Sequence, residues 1–402
     1  MTNTLDHLKS DAGEVAAISL IAEEFERRNV ADNSNGNLSK SKLSDLEGHL
    51  DNYPILGGLD EFSRDEYYKT YKKWIPKFVS DLMREYPNSK SFDILDVEKE
   101  YRINGLKGDF ALSTNDGETI STSLKNYKGG ISSIQVSSGT PNSFICKLFF
   151  ESVGTGKVKS PDGEVWETGG NKGDTYKHEK RDRMFKKWIP SYSPILEGLH
   201  KLDKLSLEVK NKFAKSEECE FYTEKVEKDF DEARKRSGHE GAIVIMDMLI
   251  QADEDFLRKR VLKLSGMDGE EELLAVSKKE YLCSIGNPKY KEYLRKINDS
   301  ELKFEFTIQE GDSTKYSGIR FFFEYEGKEI FNAKVPVTIN ANGCWFEMNK
   351  PYFPGTKKKN DKGHIVYLQH RQRRPYKRTE LSLSTNFWIY INKTECGIVN
   401  AV

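Results

Sequence analysis

The sequence lacks the features that mark several large classes of protein. Its five cysteines are widely spaced, odd in number and form no Cys-x-x-Cys pair, which argues against a structural zinc site or a disulfide framework. No apolar run approaches the roughly 18 residues of a membrane-spanning helix, and the first residues do not have the basic-then-apolar pattern of a secretory signal. We therefore expect a protein of the cytoplasm with no membrane part.

Several catalytic signatures are also missing. The seven histidines form no His-Glu-x-x-His or His-x-His motif, and there is no Gly-x-Ser-x-Gly motif. These absences disfavour a zinc hydrolase and an α/β-hydrolase. The segment Gly-Thr-Gly-Lys at 154–157 lacks both the earlier glycine and the following Ser or Thr of a phosphate-binding loop.

The remaining composition is that of a globular protein with a large wetted surface. Of the 402 residues, 37% are hydrophobic and 32% are charged, which leaves enough apolar residues for a core. At about 100–200 residues per domain, this length predicts two or three domains. The net charge is −1, so any binding of nucleic acid must come from a local cluster of charge.

Changes of pattern along the chain divide it into four predicted parts. They are an N-terminal helix and polar linker (1–50), an α/β core (51–155), a helical region (156–300) and a β-rich, basic region (301–402). The core is predicted to begin with a helix over 64–86, broken at Pro76, followed by alternating strands over 92–136. Thr140 is a good N-cap and Pro141 suits the first helical position, so a helix should follow these strands.

The predicted fold class is α/β, in the α+β sense. A central mixed sheet flanked by helices would form the core, with a helical insertion and a β-rich C-terminal region. Residues 152–180 have a loop-like composition, residues 181–300 are predicted to be almost entirely helical, and strands return from residue 301.

One predicted hairpin, Gly-Asp-Phe-Ala-Leu-Ser-Thr-Asn-Asp-Gly-Glu-Thr-Ile-Ser-Thr-Ser-Leu-Lys over 108–125, carries the candidate chemistry. Alternate residues of a strand share a face. Ser123 and Lys125 should therefore lie on one face and Leu124 on the other, toward the core. Asp109 precedes the first strand and can lie beside Lys125 at one edge of the sheet.

An Asp and a Lys placed in this way suit hydrolysis of a phosphodiester. Mg²⁺ prefers oxygen ligands and keeps waters in its shell, so Asp109, with the backbone carbonyl of Leu124, could hold it. The ammonium group of Lys125 could orient the attacking water and offset developing charge.

This segment resembles the catalytic signature of the PD-(D/E)xK nuclease superfamily, which includes most type II restriction endonucleases. The resemblance rests on Asp109 and on Ser123-Leu124-Lys125, in the order strand, turn, strand, helix, and covers roughly 92–151. The sequence departs from the pattern at Gly108, where proline is usual, and at Ser123, where an acid is usual. The resemblance implies a restriction-endonuclease-like core in which Asp109 binds Mg²⁺ and Ser123 and Lys125 assist.

The missing carboxylate must come from elsewhere if this is a nuclease. The following helix first offers an acid at Glu151, too far along the chain, so an upstream glutamate is expected. Glu85 is preferred as the second metal ligand, and Glu98 and Glu100 are rivals. Gln135, on the next predicted strand, is a further candidate that could bind a metal-bound water or the scissile phosphate.

Two segments are candidates for contact with DNA. The predicted helix start offers free N–H groups for a phosphate, with Asn142 and Ser143 adding polar side chains. Residues 350–378 contain ten Lys or Arg and one acid, Asp361, a density of charge that can neutralise phosphates. The basic candidates in this segment are Lys357, Lys358, Lys359, Arg371, Arg373, Arg374 and Arg378.

The function predicted from the sequence is that of a type II restriction endonuclease. It would hydrolyse double-stranded DNA at a specific sequence with Mg²⁺, and a homodimer is expected because a palindromic site needs two active sites. Two alternatives stay open: another nuclease of the same superfamily, such as a repair or phage-encoded enzyme, and a nucleic-acid-binding protein without catalysis. The recognition sequence, the cut pattern and the sensitivity to methylation do not follow from the sequence.

Overall fold

The computed structural model describes most of the chain in several stretches. They are residues 17, 20–33, 71–94, 109–127, 130–154, 156–168, 175–214, 224–267, 271–277, 281–283, 301–311, 317–346, 356–359, 365–368, 377–392 and 399–400. The helices of these stretches are α1 (20–27), α2 (71–85), α3 (Pro141–Phe149), α4 (Thr175–Trp188), α5 (Tyr192–Ala214), α6 (Glu224–Leu249) and α7 (Glu254–Leu264).

The strands in the first half of the described chain are β1 (Ala31–Asp32), β2 (Ser89–Ile94), β3 (Phe110–Thr114), β4 (Thr119–Tyr127), β5 (Ser133–Gly139), β6 (Glu151–Gly154), β7 (Lys157–Lys159) and β8 (Val165–Glu167). Those in the second half are β9 (Glu271–Ser277), β10 (Tyr281–Cys283), β11 (Lys303–Gln309), β12 (Gly318–Tyr325), β13 (Lys328–Phe346), β14 (Thr356–Lys359), β15 (Ile365–Leu368), β16 (Lys377–Asn392) and β17 (Val399–Asn400). The described chain is therefore a mixed α/β structure with several antiparallel sheets.

The first sheet contains the predicted hairpin. Its strand order is β1-β2-β3-β4-β9-β10-β17. β2, β3 and β4 form an antiparallel meander, whereas β9 lies parallel to β4 on its other side. The helices α1 and α2 bury one face of this sheet, with Phe25 stacked on Phe92 at 5.4 Å and Phe78 against Phe110 at 6.0 Å between ring centroids.

Helix α2 does not break at Pro76, contrary to the sequence prediction. Residues 71–85 are one continuous helix, although a proline inside a helix removes a hydrogen bond and costs roughly 3 kcal/mol. Phe78, Val79 and Leu82 form an apolar stripe at helical spacing and are fully buried against the sheet. Burial of this stripe along the whole helix offsets the local cost of the proline.

The second sheet has the strand order β11-β12-β13-β16-β5 and is antiparallel throughout. Helix α6 packs on β12 and β13, and α5 packs on α6. The most apolar part of α6 supplies its buried side through Ala242, Ile245, Met248 and Leu249. This sheet and helices α3 to α7 share a larger hydrophobic core, separate from that of the first sheet.

Strand pairing corrects three expectations about the order of elements. β5 does not continue the β2–β4 meander but pairs with β16, so 92–151 is not a single unit. Residues 152–180, expected to be loop-like, contain most of a small sheet of β6, β7 and β8 and the start of α4. The region 181–300 is not helical throughout, since β9 and β10 return to the first sheet. Pairing therefore crosses the predicted boundaries near residues 155 and 300.

The strands β13 and β16 run on beyond the rest of the second sheet. β12 accompanies β13 only as far as Pro336, and β5 accompanies β16 only from Phe387 onward. From there, residues 338–346 pair with residues 377–386 and with no other strand of the described chain. We refer to this two-stranded extension as the ribbon.

Helix α3 is fixed at both ends. At its start, the Thr140 hydroxyl accepts a hydrogen bond from the Ser143 backbone N–H at 3.1 Å, and Pro141 occupies the first turn, as predicted. At its end, Arg260 of α7 donates to the carbonyl oxygens of Leu148 at 2.8 Å, Lys147 at 2.5 Å and Phe150. A cation at this position satisfies carbonyl groups that the helix leaves unpaired.

No helix in the described stretches combines the length and apolar character needed to cross a membrane. One cysteine of these stretches, Cys146 in α3, is fully buried, and burial raises the pKa of its thiol to about 12. This thiol is therefore part of the core rather than a nucleophile.

Candidate active site

The candidate site lies where β3 begins and β4 is about to end. Phe110 pairs with Thr122, so Asp109 stands opposite Ser123. The backbone N–H of Asp109 donates to the Thr122 carbonyl at 2.7 Å. The Asp109 carboxylate in turn accepts a hydrogen bond from the Leu124 N–H at 2.5 Å through Oδ2. The carboxylate is thus held by the backbone of the neighbouring strand rather than left to move in solvent.

Lys125 lies beside the same strand end. Its ammonium donates to the Ser123 hydroxyl at 2.6 Å and to the Leu124 carbonyl at 3.3 Å. Ser123 is 8% exposed and Lys125 is half-buried. Ser123 is therefore a neutral partner that positions the ammonium group of Lys125.

The two faces of the hairpin differ as the sequence predicts. Leu124 and Phe110 belong to the core under α1 and α2. Ser123, Lys125 and Asp109 share the opposite face, because directly paired residues of an antiparallel pair lie on the same side. On that face Ala111 and Ser121 are 2% and 3% exposed, whereas Asp109 and Lys125 are half-buried. Access to solvent therefore increases toward the charged end of the hairpin.

The donor atoms at this end are of the type that Mg²⁺ prefers. Oδ1 of Asp109 makes no hydrogen bond with the part of the chain that is described, and the Leu124 carbonyl offers a second oxygen near Lys125. The buried Ser121 hydroxyl on the same face also lacks a hydrogen-bond partner there. No three His, Cys, Asp or Glu residues of the described stretches cluster as a metal site.

Glu85, preferred from the sequence as the second ligand, lies at the other end of the sheet. It is the last residue of α2. The chain that follows α2 then reaches the turn between β3 and β4, where the Asn115 N–H donates to the Asn88 carbonyl at 2.9 Å. Asp109 lies at the opposite end of β3, about 17 Å along the strand from Thr114. Glu98 and Glu100 lie outside the described residues, and Glu151 is exposed on β6 and pairs with Lys159 at 2.7 Å.

Asp93 is a carboxylate that the sequence reasoning did not single out. It lies on β2 and pairs with Ala111 of β3. Ala111 and Asp109 are two residues apart on one strand, so Asp93 shares the face of Asp109 and is its diagonal neighbour. Such neighbours lie about 7–8 Å apart in their Cα atoms. The register of β2 against β3, rather than any motif, brings a second carboxylate to the site.

The other predicted catalytic residue, Gln135, belongs to the second sheet. Its strand β5 pairs with β16, where Gln135 lies opposite Tyr390. The strand pairing therefore does not carry Gln135 to the edge where Asp109 and Lys125 meet.

The start of α3 is engaged inside the protein. Asn142 donates through its amide nitrogen to Asp203 of α5, and Ser143 is 2% exposed. A phosphate contact by Ser143, as predicted from the sequence, would require this helix start to open.

The partner of Asn142 belongs to a buried ion cluster. Arg181 of α4 is fully buried and contacts Asp203 at 3.1 Å and Asp182 at 2.9 Å. His178 approaches Asp203 at 3.4 Å, and His200 contacts Asp182 at 2.6 Å. Burial lowers the pKa of Arg181, but the charges of the two aspartates outweigh this and hold its pKa above the ordinary value. The cluster joins α4 and α5 through charge, and the amide of Asn142 connects α3 to it by a hydrogen bond.

The basic segment is described only in part. Lys357, Lys358 and Lys359 lie in β14, which pairs with β15 as a two-stranded sheet. Arg378 lies in β16, paired with Trp345 at the ribbon end. Arg371, Arg373 and Arg374 lie outside the described residues.

Comparison of the chain with models of protein families, with curated proteins and with solved structures gave no match in any of the three. The geometry of the site is therefore the basis on which a function can be assigned to this chain.

Proposed function

We propose that the protein is a Mg²⁺-dependent nuclease of the PD-(D/E)xK type acting on double-stranded DNA, most like a type II restriction endonuclease. One observation carries the proposal: Asp109 and Lys125 meet where β3 begins beside β4. There the Leu124 N–H donates a hydrogen bond to the Asp109 carboxylate, and the Lys125 ammonium donates one to the Ser123 hydroxyl. A carboxylate and an ammonium that both contact the backbone of one residue, Leu124, suit a reaction that needs both a metal ligand and a positioned cation.

The surrounding sheet supports this assignment. β4 has strands on both sides, β3 and the parallel β9, and Leu274 of β9 shares the core of Leu124. A central strand is held by hydrogen bonds along both edges, so Ser123 and Lys125 have little freedom of backbone position. Sites built on strands keep their geometry better than sites on loops.

Each residue has a defined task in the proposed reaction. When bound, Mg²⁺ would polarise the phosphate and neutralise developing negative charge. Asp109 and the Leu124 carbonyl would hold it, with Asp93 as the second carboxylate. Lys125 would orient the attacking water and stabilise charge on the phosphate, while the Ser123 hydroxyl accepts a hydrogen bond from the ammonium and sets its direction. The proposed setting is the cytoplasm, with a homodimer for cleavage of both strands.

Incubation of the full chain with varied plasmid DNA and Mg²⁺ tests the proposal. Discrete fragments support a restriction enzyme, and a smear supports a less specific nuclease of the same type. Binding without cleavage, in either Mg²⁺ or Mn²⁺, would refute the proposed activity and leave a non-catalytic DNA-binding protein.

Asp93→Asn is expected to raise the Mg²⁺ concentration needed for cleavage by on the order of 10- to 100-fold, the range typical for loss of a residue that supports a metal site. Asn keeps the shape of the side chain and removes its charge. Cleavage is measured across a Mg²⁺ titration. The matched control is Asp116→Asn in the exposed turn of the same hairpin, which should leave the titration unchanged. Equal titration curves for Asp93→Asn and wild type would remove Asp93 from the site.

A further inference from the structure

Two neighbouring hydroxyls of β4 are buried without a hydrogen bond. Ser121 is 3% exposed and Thr122 is fully buried, and the side-chain oxygen of each lacks a partner in the part of the chain that is described. Leaving a buried polar group unpaired costs about 1–3 kcal/mol, and most buried polar groups in proteins are paired. Each of these hydroxyls therefore calls for a physical reason.

The two hydroxyls belong to opposite faces of the first sheet, because successive side chains of a strand alternate. Thr122 pairs with Phe110, which lies in the core under α1 and α2. Ser121 pairs with Ala111, on the face that carries Asp109. Thr is a good strand former whose methyl group packs in a core, which accounts for Thr122. Serine brings neither advantage, so the fold alone does not account for Ser121.

The register places Ser121 beside the two carboxylates of the candidate site. Ala111 of β3 is paired with Ser121 of β4 on one side and with Asp93 of β2 on the other. Neighbouring strands are about 4.8 Å apart, so Ser121 and Asp93 are about 10 Å apart in their Cα atoms. Asp109 lies two residues before Ala111 on the same face, about 7 Å along β3. Three oxygen-bearing side chains therefore surround one methyl group.

A bound water suits this arrangement better than a direct contact between the side chains. The separation of Ser121 from Asp93 agrees with the absence of a hydrogen bond between them. Mg²⁺ is commonly held by one or two carboxylates and keeps several waters. A water bound to a cation is a strong hydrogen-bond donor, and a serine hydroxyl offers two lone pairs as acceptors.

We propose that Ser121 is a positioning residue of the candidate site. Its hydroxyl accepts a hydrogen bond from a water bound to the divalent cation that Asp109 and Asp93 hold. This role rests on the proposed nuclease function, since it needs the cation of that site. Ser121 orients the bound water and does not touch the cation. Loss of a residue that supports a metal site in this way typically weakens metal binding by about 10- to 100-fold.

Binding of Mn²⁺ to the full chain without DNA tests this role, because no cleavage is involved. Mn²⁺ takes the place of Mg²⁺, and electron paramagnetic resonance measures its free concentration. Ser121→Ala is expected to weaken binding by about tenfold or more. The matched control is Thr122→Val, which removes the other unpaired hydroxyl at nearly constant shape. It keeps the backbone carbonyl that accepts from the Asp109 N–H and should bind Mn²⁺ as the wild type does.

Urea unfolding separates a role toward the cation from a role in the fold. Without metal, Ser121→Ala removes an unpaired buried hydroxyl, so the variant should be at least as stable as the wild type. At Mn²⁺ concentrations well above the dissociation constant, the stability gained by binding should be smaller in Ser121→Ala by about 1.4 kcal/mol, the equivalent of tenfold weaker binding. Thr122→Val should keep the full gain.

Two outcomes would overturn this role: equal Mn²⁺ affinity of Ser121→Ala and the wild type, or no binding of Mn²⁺ by the wild type. A loss of stability without metal, together with an unchanged gain on adding Mn²⁺, would assign the hydroxyl to the fold instead. The nuclease proposal can fail separately. A wild type that binds Mn²⁺ and loses affinity in Ser121→Ala, yet does not cleave plasmid DNA, would contradict that proposal alone.

Discussion

Asp109→Asn should abolish Mg²⁺-dependent cleavage of duplex DNA while the protein stays folded. The amide oxygen of Asn can still accept the hydrogen bond from the Leu124 N–H that the carboxylate accepts at 2.5 Å, so the hairpin keeps its geometry. The charge that attracts the metal is lost. A metal ion supplies several kcal/mol of transition-state stabilisation, and about 1.4 kcal/mol corresponds to a factor of ten. We therefore expect a rate loss of roughly 10³-fold or more.

Lys125→Met should lower the rate of cleavage by a comparable factor, for a different physical reason. It keeps a long apolar stem and removes the ammonium, which contacts Ser123 and the Leu124 carbonyl. Single-turnover cleavage at saturating Mg²⁺ separates the two variants, since excess metal should partly restore Asp109→Asn and should not restore Lys125→Met.

Controls for these two variants come from the same hairpin. Glu118→Gln alters an exposed position next to its turn and should cleave normally, and thermal unfolding should show all three variants folded. Wild-type rates in either Asp109→Asn or Lys125→Met would show that the chemistry is elsewhere.

Arg181→Met should lower the free energy of unfolding by several kcal/mol, because it removes a buried charge that has two partners. Arg181 is fully buried and contacts both Asp203 and Asp182. Met fills much of its volume but leaves these aspartates without their cation. Removing one partner of a buried ion cluster costs about 3–5 kcal/mol. Urea unfolding followed by circular dichroism should show this loss as a lower midpoint with a similar slope.

Arg183→Met is a matched control for this prediction. Arg183 is on the same helix, two residues further on, and its side chain is 67% exposed. Its contact with Glu164 spans 4.0 Å at the surface, so its loss should change the free energy of unfolding by no more than about 0.5 kcal/mol. Equal midpoints for the two variants would mean that the buried cluster contributes no more than a surface contact.

The parts of the structure that follow from neighbouring residues could be predicted. The hairpin from Asp109 to Lys125 depends on alternation and on a short turn, so its two faces are visible in the sequence. The start of α3 depends on Thr140 and Pro141, which cap a helix locally. The apolar stripe of α2 follows from helical spacing. In each case the physical cause lies within a few residues.

The parts that depend on distant partners could not be predicted. β5 has a strand-like sequence, but nothing in it specifies pairing with β16 rather than β4. Asp93 reaches the site through the register of β2 against β3, which no local pattern fixes. Arg181 lies in a run of charged residues typical of a solvated helix face, yet it is fully buried because two aspartates accompany it.

The parallel pairing of β4 with β9 constrains the order in which the protein can be built. Residues 128–270 leave the first sheet after β4, contribute β5 and five helices elsewhere, and only then return as β9. During synthesis, β9, the strand that pairs with β4 beside Lys125, is therefore made after most residues of the larger hydrophobic core. Closing so long a loop slows folding. A fragment ending near residue 155 would contain both Asp109 and Lys125, yet β4 would be an open edge with Leu124 partly uncovered. The hairpin that carries Asp109 and Lys125 therefore depends on the rest of the chain for its full set of strand contacts.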